Sequence, residues 1–334
     1  MLFRLKALLE EHRDDPARRL SREHGKNLAE CRGELQRGIE NVEHACGIPS
    51  LLMGQTLEDV GFGIDCETFR QPLGVFAAIT PYNFPVMIPL WFWPYAVATG
   101  NTFVLKPIEE DPLTHQTVLE LAMEAGLPPG VLNVVHGGRE VAESLLDHPG
   151  IHGISFVGSS EVARSVYARA AAAGKRAQSL GSAKHHMLVM PDADFDRATE
   201  AMISSIHGSA VQRCLAGSVV VGVGEAYGTV RERLVDEASR LNVGYGQDDG
   251  TFMGPVISAK HRVRVRGFIT EGEREGATVL LDGRDTHVDG YPTGTGWDPR
   301  SSKTSRRKQQ WRGARSSDPS PSSPVSRPSR TASP

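Results

Sequence analysis

Paired cysteines are missing from this sequence, which has four cysteines in 334 residues, at positions 31, 46, 66 and 214. None stands in a Cys-x-x-Cys pair, and their spacing matches no metal-binding pattern. This excludes a disulfide-stapled secreted domain, and we expect no metal site. The pattern is typical of a reducing compartment in which thiols stay free, so we expect a cytoplasmic protein.

An excess of charge of one sign is also missing. The formal net charge is −3, so the field of the protein favours neither nucleic acid nor an acidic membrane as a partner. The most apolar stretch, 84–98, is 15 residues long with three prolines, too short and too broken to span a bilayer. The opening MLFRLKALLEEHRDD lacks the apolar core of a signal peptide.

What the sequence does have is an alternation of short apolar runs with helical patterns, in a chain long enough for two domains. Residues 1–47 are rich in Leu, Ala, Glu and Arg and are predicted to be helical. Strands are predicted over 74–80, 102–107, 130–137, 153–159, 186–190 and 218–224, and helices over 113–125, 139–147, 160–173 and 194–206. This order indicates an α/β fold with helices on both faces of a parallel sheet.

The stretch GSAVQRCLAGS, 208–218, surrounds one cysteine with small residues. Small neighbours let a substrate approach the sulfur of Cys214 closely. The adjacent cation, Arg213, favours the thiolate, which is the nucleophilic form of cysteine. On these residues alone, a buried structural cysteine is the more common alternative.

Two further stretches place polar side chains after predicted strands. In ITPYNFP, 79–85, the Asn83 amide could donate a hydrogen bond to a developing oxyanion. The alternative is a turn amide bonded to its own backbone. Lys106 and Glu109 leave the carboxyl end of another strand, where α/β sheets bind ligands, and could hold ribose hydroxyls. The alternative there is a solvated charge cluster.

A glycine and a serine join a predicted strand to a helix in ISFVGSSEVAR, 154–164. The free N–H groups of a helix that begins after Gly158 and Ser159 favour a phosphate.

Together these stretches resemble the aldehyde dehydrogenase superfamily. The order matches: P-x-N-F-P, then G-N-x-x-x-x-K-P-x-E, then F-x-G-S, then the cysteine segment. The resemblance covers residues 1–297. The most similar subgroup is the CoA-acylating methylmalonate-semialdehyde dehydrogenases, on QRGIENVEHACG (36–47), KHHMLVMPDAD (184–194) and GSAVQRC (208–214).

The resemblance implies an aldehyde dehydrogenase-like α/β fold in two domains. A Rossmann-type NAD-binding domain would comprise 1–49 and 73–181, interrupted by an oligomerisation hairpin segment at 50–72. Residues 182–297 would form part of an α/β catalytic domain. The full-length family implies a homotetramer.

The resemblance also implies roles for individual residues. Cys214 would be the nucleophile that attacks the aldehyde, and Asn83 would bind the oxyanion together with the Cys214 backbone N–H. Hydride transfer to NAD would leave a thioester, and Glu109 would favour NAD over NADP by bonding the adenosine ribose. The residues that match cofactor contacts are Thr80, Tyr82, Lys106, Glu109, Phe156, Gly158, Ser159 and Gly181.

Release of the acyl group is implied to need coenzyme A. Hydrolytic members of the superfamily carry a glutamate, in a segment E-L-G-G, that activates the deacylating water. The matching stretch is 178–182, where Ser179 stands at the position of the glutamate, and serine is not a base. In the acylating subgroup the thiol of coenzyme A attacks the thioester instead. A hydrolytic NAD-dependent aldehyde dehydrogenase is the alternative.

Arg37 and Arg213 match the subgroup's clamp for the substrate carboxylate. A guanidinium can bond both oxygens of a carboxylate. The implied substrate is therefore malonate or methylmalonate semialdehyde, from valine or inositol breakdown. Judged without the resemblance, Arg37 is an ordinary surface charge on a helix.

The sequence also departs from the family pattern. Ser182 and Val211 stand where glycines are usual, and we expect the chain to be incomplete at both ends, without the first strands of the NAD-binding domain. Residues 298–334, rich in Ser, Arg and Pro, predict a disordered tail. A frame displaced by two nucleotides can encode the family segment Glu-Ile-Phe-Gly-Pro-Val there, which predicts a frameshift after Trp297. A non-catalytic remnant of such an enzyme is the alternative function.

Overall fold

The computed structural model describes residues 1–286, 288 and 291, and the backbone of 302–304. The expectations for Trp297 and for the rest of the tail lie outside these residues. The helices are α1 (Leu2–Glu11), α2 (Asp14–His24), α3 (Leu28–Cys46), α4 (Ile48–Leu51), α5 (Met87–Leu90), α6 (Trp93–Ala98), α7 (Leu113–Glu124), α8 (Arg139–Asp147), α9 (Ser160–Ala172), α10 (Phe195–His207), α11 (Ala226–Ser239) and α12 (Ala259–Arg274). The strands are β1 (Thr56–Gly61), β2 (Ile64–Glu67), β3 (Val75–Ile79), β4 (Thr102–Lys106), β5 (Leu132–Val134), β6 (Ile151–Val157), β7 (Arg176–Leu180), β8 (His185–Val189), β9 (Gly217–Gly222), β10 (Thr278–Leu281) and β11 (Ser302–Thr304).

The largest sheet has five strands in the order β5-β4-β3-β6-β7, and all of its pairs are parallel. The chain runs from β3 outward to β5, then crosses to β6 on the other side. The strand order therefore reverses between β3 and β6. In open α/β sheets, ligands bind outside the carboxyl ends of the strands at such a switch point.

Helices cover both faces of this sheet, as the alternation of apolar runs predicts. In β3, Ala78 packs against a core that contains Leu9, Leu35 and Trp93. Its neighbour Ala77 belongs to a second core with residues of β6, α8 and α9. Successive residues of a strand point to opposite faces, so the small alanines let both layers of helices approach.

The turn between α2 and α3 sets the start of the longest helix. Gly25 has φ +93, and a Cβ there would lie 2.6 Å from Pro255 Cγ, so this position favours glycine on both grounds. Asn27 caps α3 by accepting a hydrogen bond from the Glu30 N–H at 2.9 Å. Its amide also donates to the Phe252 carbonyl at 2.6 Å. The loop that contains Phe252, far along the chain, thus holds the N-terminus of α3 in place.

Smaller sheets complete the fold. Strands β1 and β2 form an antiparallel pair inside the predicted hairpin segment 50–72, and Phe62 and Phe69 of that segment are exposed. The role of the segment in oligomerisation stays a prediction. Strands β8 and β9 pair in parallel, and β10 pairs with β11 in antiparallel fashion.

The six predicted strands and four predicted helices are all confirmed, within a few residues at their ends. The helical region 1–47 is broken into three helices, since Gly25 ends α2. Strand β7 is missing from the prediction: its residues, RAQSL, include only two apolar side chains because β7 is an edge strand. The apolar stretch 84–98 folds as two short helices. Within the described residues, no helix has the length and apolar character needed to cross a membrane.

Candidate active site

Four segments that the sequence singles out meet at the carboxyl edge of the sheet. Ile79, the last residue of β3, is in register with Lys106 of β4 and with Phe156 of β6. Phe156 is in turn in register with Ser179 of β7. The Thr80 N–H, just beyond β3, donates to the Lys106 carbonyl at 3.1 Å. The candidate cofactor residues therefore come from adjacent strand ends.

Two hydroxyl groups at this edge are buried and have no hydrogen-bond partner among the residues that the structure describes. They are Oγ1 of Thr80 and Oγ of Ser179. A buried hydroxyl without a hydrogen bond is costly, so these atoms fit an edge that a polar ligand completes. A dinucleotide, with its hydroxyls and phosphates, has the required donors and acceptors.

Lys106 and Glu109 form an ion pair at the end of β4. Lys106 Nζ lies 3.4 Å from Glu109 Oε2 and 3.2 Å from the Pro107 carbonyl. Lys106 is buried, whereas the Glu109 side chain is 45% exposed. A Cβ on Gly138 would lie 3.1 Å from Glu109 Oε1, so the carboxylate rests against the start of α8. This half-open pair can still bond ligand hydroxyls.

The turn from β6 into α9 is tightly packed. A Cβ on Gly158 would lie 2.4 Å from the Phe156 ring, and one on Gly181 would lie 2.9 Å from Ser160 Oγ. Gly158 thus leaves room for the Phe156 ring, and Gly181 lets the end of β7 lie close to the start of α9.

The N–H groups at the start of α9 are not all free, which corrects the expectation from the sequence. Ser159 caps the helix and accepts from the Val162 N–H at 3.4 Å. The Ser160 N–H donates to Ser182 Oγ at 3.2 Å, and the Ser182 N–H donates to Ser160 Oγ at 3.1 Å. Ser182, which stands where the family has glycine, thus uses a donor that was expected to face a phosphate.

Tyr82 packs between two histidine rings. Its ring centroid lies 6.1 Å from that of His24 and 5.9 Å from that of His261. Burial raises the pKa of the Tyr82 phenol to about 12, and burial lowers the pKa of His24 well below its ordinary value. The group is therefore neutral at physiological pH and acts by packing.

The segment that carries Asn83 is held by a buried ion pair. Lys26 Nζ donates to Glu34 Oε2 at 2.5 Å and to the Asn83 carbonyl at 2.5 Å. The two charged side chains are 1% and 0% exposed. Glu34 Oε1 accepts from the N–H groups of Val86 and Met87, at 2.9 and 3.2 Å. Helix α3 and the residue before its cap thus fix the backbone on both sides of Phe84.

Cys214 is a half-buried thiol that packs against the same core as Phe84. Its carbonyl oxygen lies 3.1 Å from Nε2 of His185, the first residue of β8. The Cys214 segment and the Asn83 segment therefore pack on the same apolar core.

The backbone just before Cys214 is left-handed over three residues. Ser209, Ala210 and Val211 have φ of 52°, 50° and 66°. This conformation costs about 1–2 kcal/mol per non-glycine residue, and a β-branched residue there is a genuine outlier. The family's usual glycine at position 211 fits this geometry. The Ser209 N–H donates to Glu30 Oε1 at 2.9 Å, which helps to hold the segment.

Arg37 and Arg213 line one cavity of about 800 Å³, although they are far apart in sequence. The Arg37 guanidinium lies 5.4 Å from the centroid of the Phe84 ring. Arg213 Nη2 lies 2.6 Å from Glu30 Oε1. Lys26 and Arg32 also line the cavity, and so do the carboxylates of Glu30, Asp248 and Asp249, so its wall carries charges of both signs. Among the described residues, no group of three or more His, Cys, Asp or Glu side chains could hold a metal ion.

The sequence profile of the aldehyde dehydrogenase family matches residues 1–299. The chain belongs to the aldehyde dehydrogenase family. This confirms the predicted family and fold class. A relative, malonate-semialdehyde dehydrogenase 2 of Geobacillus thermodenitrificans, is 52% identical over 284 residues, which are 85% of this chain and 59% of the relative.

Solved aldehyde dehydrogenases share the fold. The methylmalonate-semialdehyde dehydrogenase of Oceanimonas doudoroffii matches with a TM-score of 0.87 at 47% identity, over 89% of this chain and 61% of that one. An aldehyde dehydrogenase of Bacillus cereus in complex with NAD+ matches with a TM-score of 0.84 at 31% identity, over 89% of this chain and 60% of that one. The chain thus spans about three fifths of the length of these relatives.

Sequence reasoning misses Lys26, Glu30 and Glu34. All three lie in a region that is predicted only as charged helix. Their partners are 57, 183 and 52 residues further along the chain, at Asn83, Arg213 and Val86. The one local signal is the position of Glu30 three residues after the cap Asn27.

Proposed function

We propose that this chain binds NAD and oxidises malonate or methylmalonate semialdehyde to an acyl-CoA through a thioester on Cys214. One observation carries the proposal: Arg37 and Arg213 line a single cavity. Phe84, which follows Asn83 in sequence, lines it too, and Arg213 directly precedes Cys214. Two guanidiniums suit a substrate with a carboxylate next to its aldehyde. The relative from Geobacillus is a malonate-semialdehyde dehydrogenase, which supports the same substrate class.

In the proposed reaction, the Cys214 thiolate attacks the aldehyde carbon while the arginines hold the carboxylate. The oxyanion accepts hydrogen bonds from the Asn83 side-chain amide and the Cys214 backbone N–H. The buried pair of Lys26 and Glu34 acts at a distance by fixing the Asn83 backbone. Loss of hydride from the former aldehyde carbon then leaves the thioester on Cys214, and NAD, held at the carboxyl edge of the sheet, would supply the acceptor for that hydride.

The cofactor is proposed to lie at the carboxyl edge of the sheet. Glu109 would bond the adenosine ribose, and Lys106 would stay paired with it. Thr80 and Ser159 would lie beside the dinucleotide, where the unpartnered Thr80 hydroxyl would gain a hydrogen bond.

Coenzyme A is proposed to release the acyl group. Its thiolate attacks the thioester carbonyl, and Cys214 leaves as a thiolate. Ser179, at the end of β7, has a buried hydroxyl and cannot serve as the base that activates water. This favours transfer to a thiol over hydrolysis.

Turnover with and without coenzyme A tests the proposal on this chain. We expect sustained NADH formation from malonate semialdehyde only with coenzyme A. Without it, one NADH per chain should form, together with an acyl adduct on Cys214 that mass spectrometry detects. Cys214→Ser should abolish both, while the control Cys46→Ser should not. Sustained NADH formation in water alone would overturn the acylating assignment.

The carboxylate clamp has its own test within the same assay. Arg37→Leu removes a charge-assisted contact, so kcat/KM for malonate semialdehyde should fall about ten- to a hundredfold. Propanal, which has no carboxylate, should be affected much less. An equal loss with both substrates would make Arg37 a structural residue.

A further inference from the structure

We infer that Glu30 is a positioning residue that holds Arg213 in the cavity and whose negative charge limits the affinity for carboxylates. The inference rests on the proposed function, because it concerns the same carboxylate site. Glu30 would oppose the binding of a carboxylate, whereas Arg37 and Arg213 would favour it.

Three groups hold the Arg213 guanidinium in place. Its Nη2 donates to Glu30 Oε1 at 2.6 Å, and its Nη1 donates to the Ser204 carbonyl at 3.2 Å. A Cβ on Gly208 would lie 2.5 Å from Arg213 Cζ. The guanidinium therefore lies against Gly208, and a Cβ at that position would displace it.

The same Glu30 oxygen also accepts from the Ser209 N–H at 2.9 Å. One carboxylate thus ties both the guanidinium and the start of the left-handed segment to α3. Glu30 is anchored in turn, because its own N–H donates to the cap Asn27. The helix thus fixes the Glu30 backbone, and the contacts with Ser209 and Arg213 fix its carboxylate.

The charge of Glu30 opposes a ligand carboxylate on Arg213. Glu30 and Arg213 line the same cavity, and their side chains are 15% and 26% exposed. A carboxylate that binds Arg213 comes close to the Glu30 carboxylate. The two negative charges repel each other, and the repulsion is stronger where water is partly excluded. Glu30 therefore lowers affinity while it maintains the geometry.

The two effects separate in two variants, measured by calorimetric titration of the whole chain with malonate. Glu30→Gln keeps an oxygen for Ser209 and Arg213 but removes the charge, so malonate should bind about tenfold more tightly. In Gly208→Ala the added Cβ displaces the Arg213 guanidinium, so malonate should bind about tenfold more weakly. Gly208 has φ −54, which alanine adopts freely, so the backbone is not disturbed.

Glu40→Gln is the matched control. Glu40 lies on the same helix, is exposed, and is 3.2 Å from the Gln36 amide; the variant makes the same change in charge away from the cavity. Its malonate affinity should stay within about twofold of the parent. Equal affinities for Glu30→Gln and Glu40→Gln would overturn the inference, as would weaker binding by Glu30→Gln.

Two outcomes distinguish this inference from the proposed function. If Arg37→Leu and Arg213→Leu abolish malonate binding but Glu30→Gln leaves it unchanged, only the role of Glu30 is wrong. If the parent chain does not bind malonate, the carboxylate site fails and the inference fails with it.

Discussion

Replacing Lys26 by methionine should destabilise the protein severely. The change keeps the length and apolar stem of the side chain but removes the ammonium that bonds Glu34 and the Asn83 carbonyl. The Glu34 carboxylate would stay buried without a counterion, at 0% exposure. Breaking such a buried pair costs about 3–5 kcal/mol, a large part of the stability of an ordinary domain.

Urea unfolding, followed by circular dichroism, measures this cost. Lys6→Met is the control, because the Lys6–Glu10 pair, at 2.8 Å, is 23% and 48% exposed, and a solvent-screened pair of this kind should contribute little to stability. Adding Glu34→Gln to Lys26→Met removes the stranded charge and keeps an acceptor for the Val86 N–H, so about 2 kcal/mol should return. Equal losses for Lys26→Met and Lys6→Met, or no recovery in the double variant, would refute the reasoning.

Two further predictions concern strain and burial. Ala210→Gly removes a Cβ at φ +50, and relief of about 1–2 kcal/mol should offset the lost methyl burial. Its unfolding free energy should therefore change by less than about 1 kcal/mol, whereas Ala170→Gly in helix α9 should lose about 1–2 kcal/mol; equal urea midpoint shifts would contradict the strain. Burial raises the pKa of Asp111 from 3.8 to about 9. Between those two pH values the folded state holds a proton on Asp111 that the unfolded state releases, so the stability of the folded state falls as pH rises. Asp111→Asn needs no proton, so its stability relative to the parent should grow by up to about 1.4 kcal/mol per pH unit between pH 4 and 9, and parallel stability curves for the two proteins would count against it.

The sheet could be predicted from the sequence because its inner strands are strongly apolar. Residues such as those of GVFAAIT stand out against the helices around them, and the parallel order follows from the alternation. Strand β7 was out of reach, since an edge strand that reads RAQSL has no apolar face of its own.

For the candidate site, some residues could be predicted from the sequence and others could not. Cys214, Asn83 and the arginines could be named from motifs, because their chemistry is visible in short stretches. Glu30 could not, because its contacts with Ser209 and Arg213 depend on how two distant segments are folded together. The left-handed backbone was signalled only by Val211, a residue that fits poorly where glycine is usual.

The link between Glu30 and Arg213 also bears on the order in which the molecule folds. The two residues are 183 positions apart, so closing this loop is entropically expensive and slow. The segment from Ser209 to Val211 is unfavourable in isolation and gains its partner on α3 only when that loop closes. During synthesis, α3 emerges long before Arg213 does. The region around Cys214 therefore reaches its final shape only after the helix that carries Glu30 and the segment that carries Ser209 have come together.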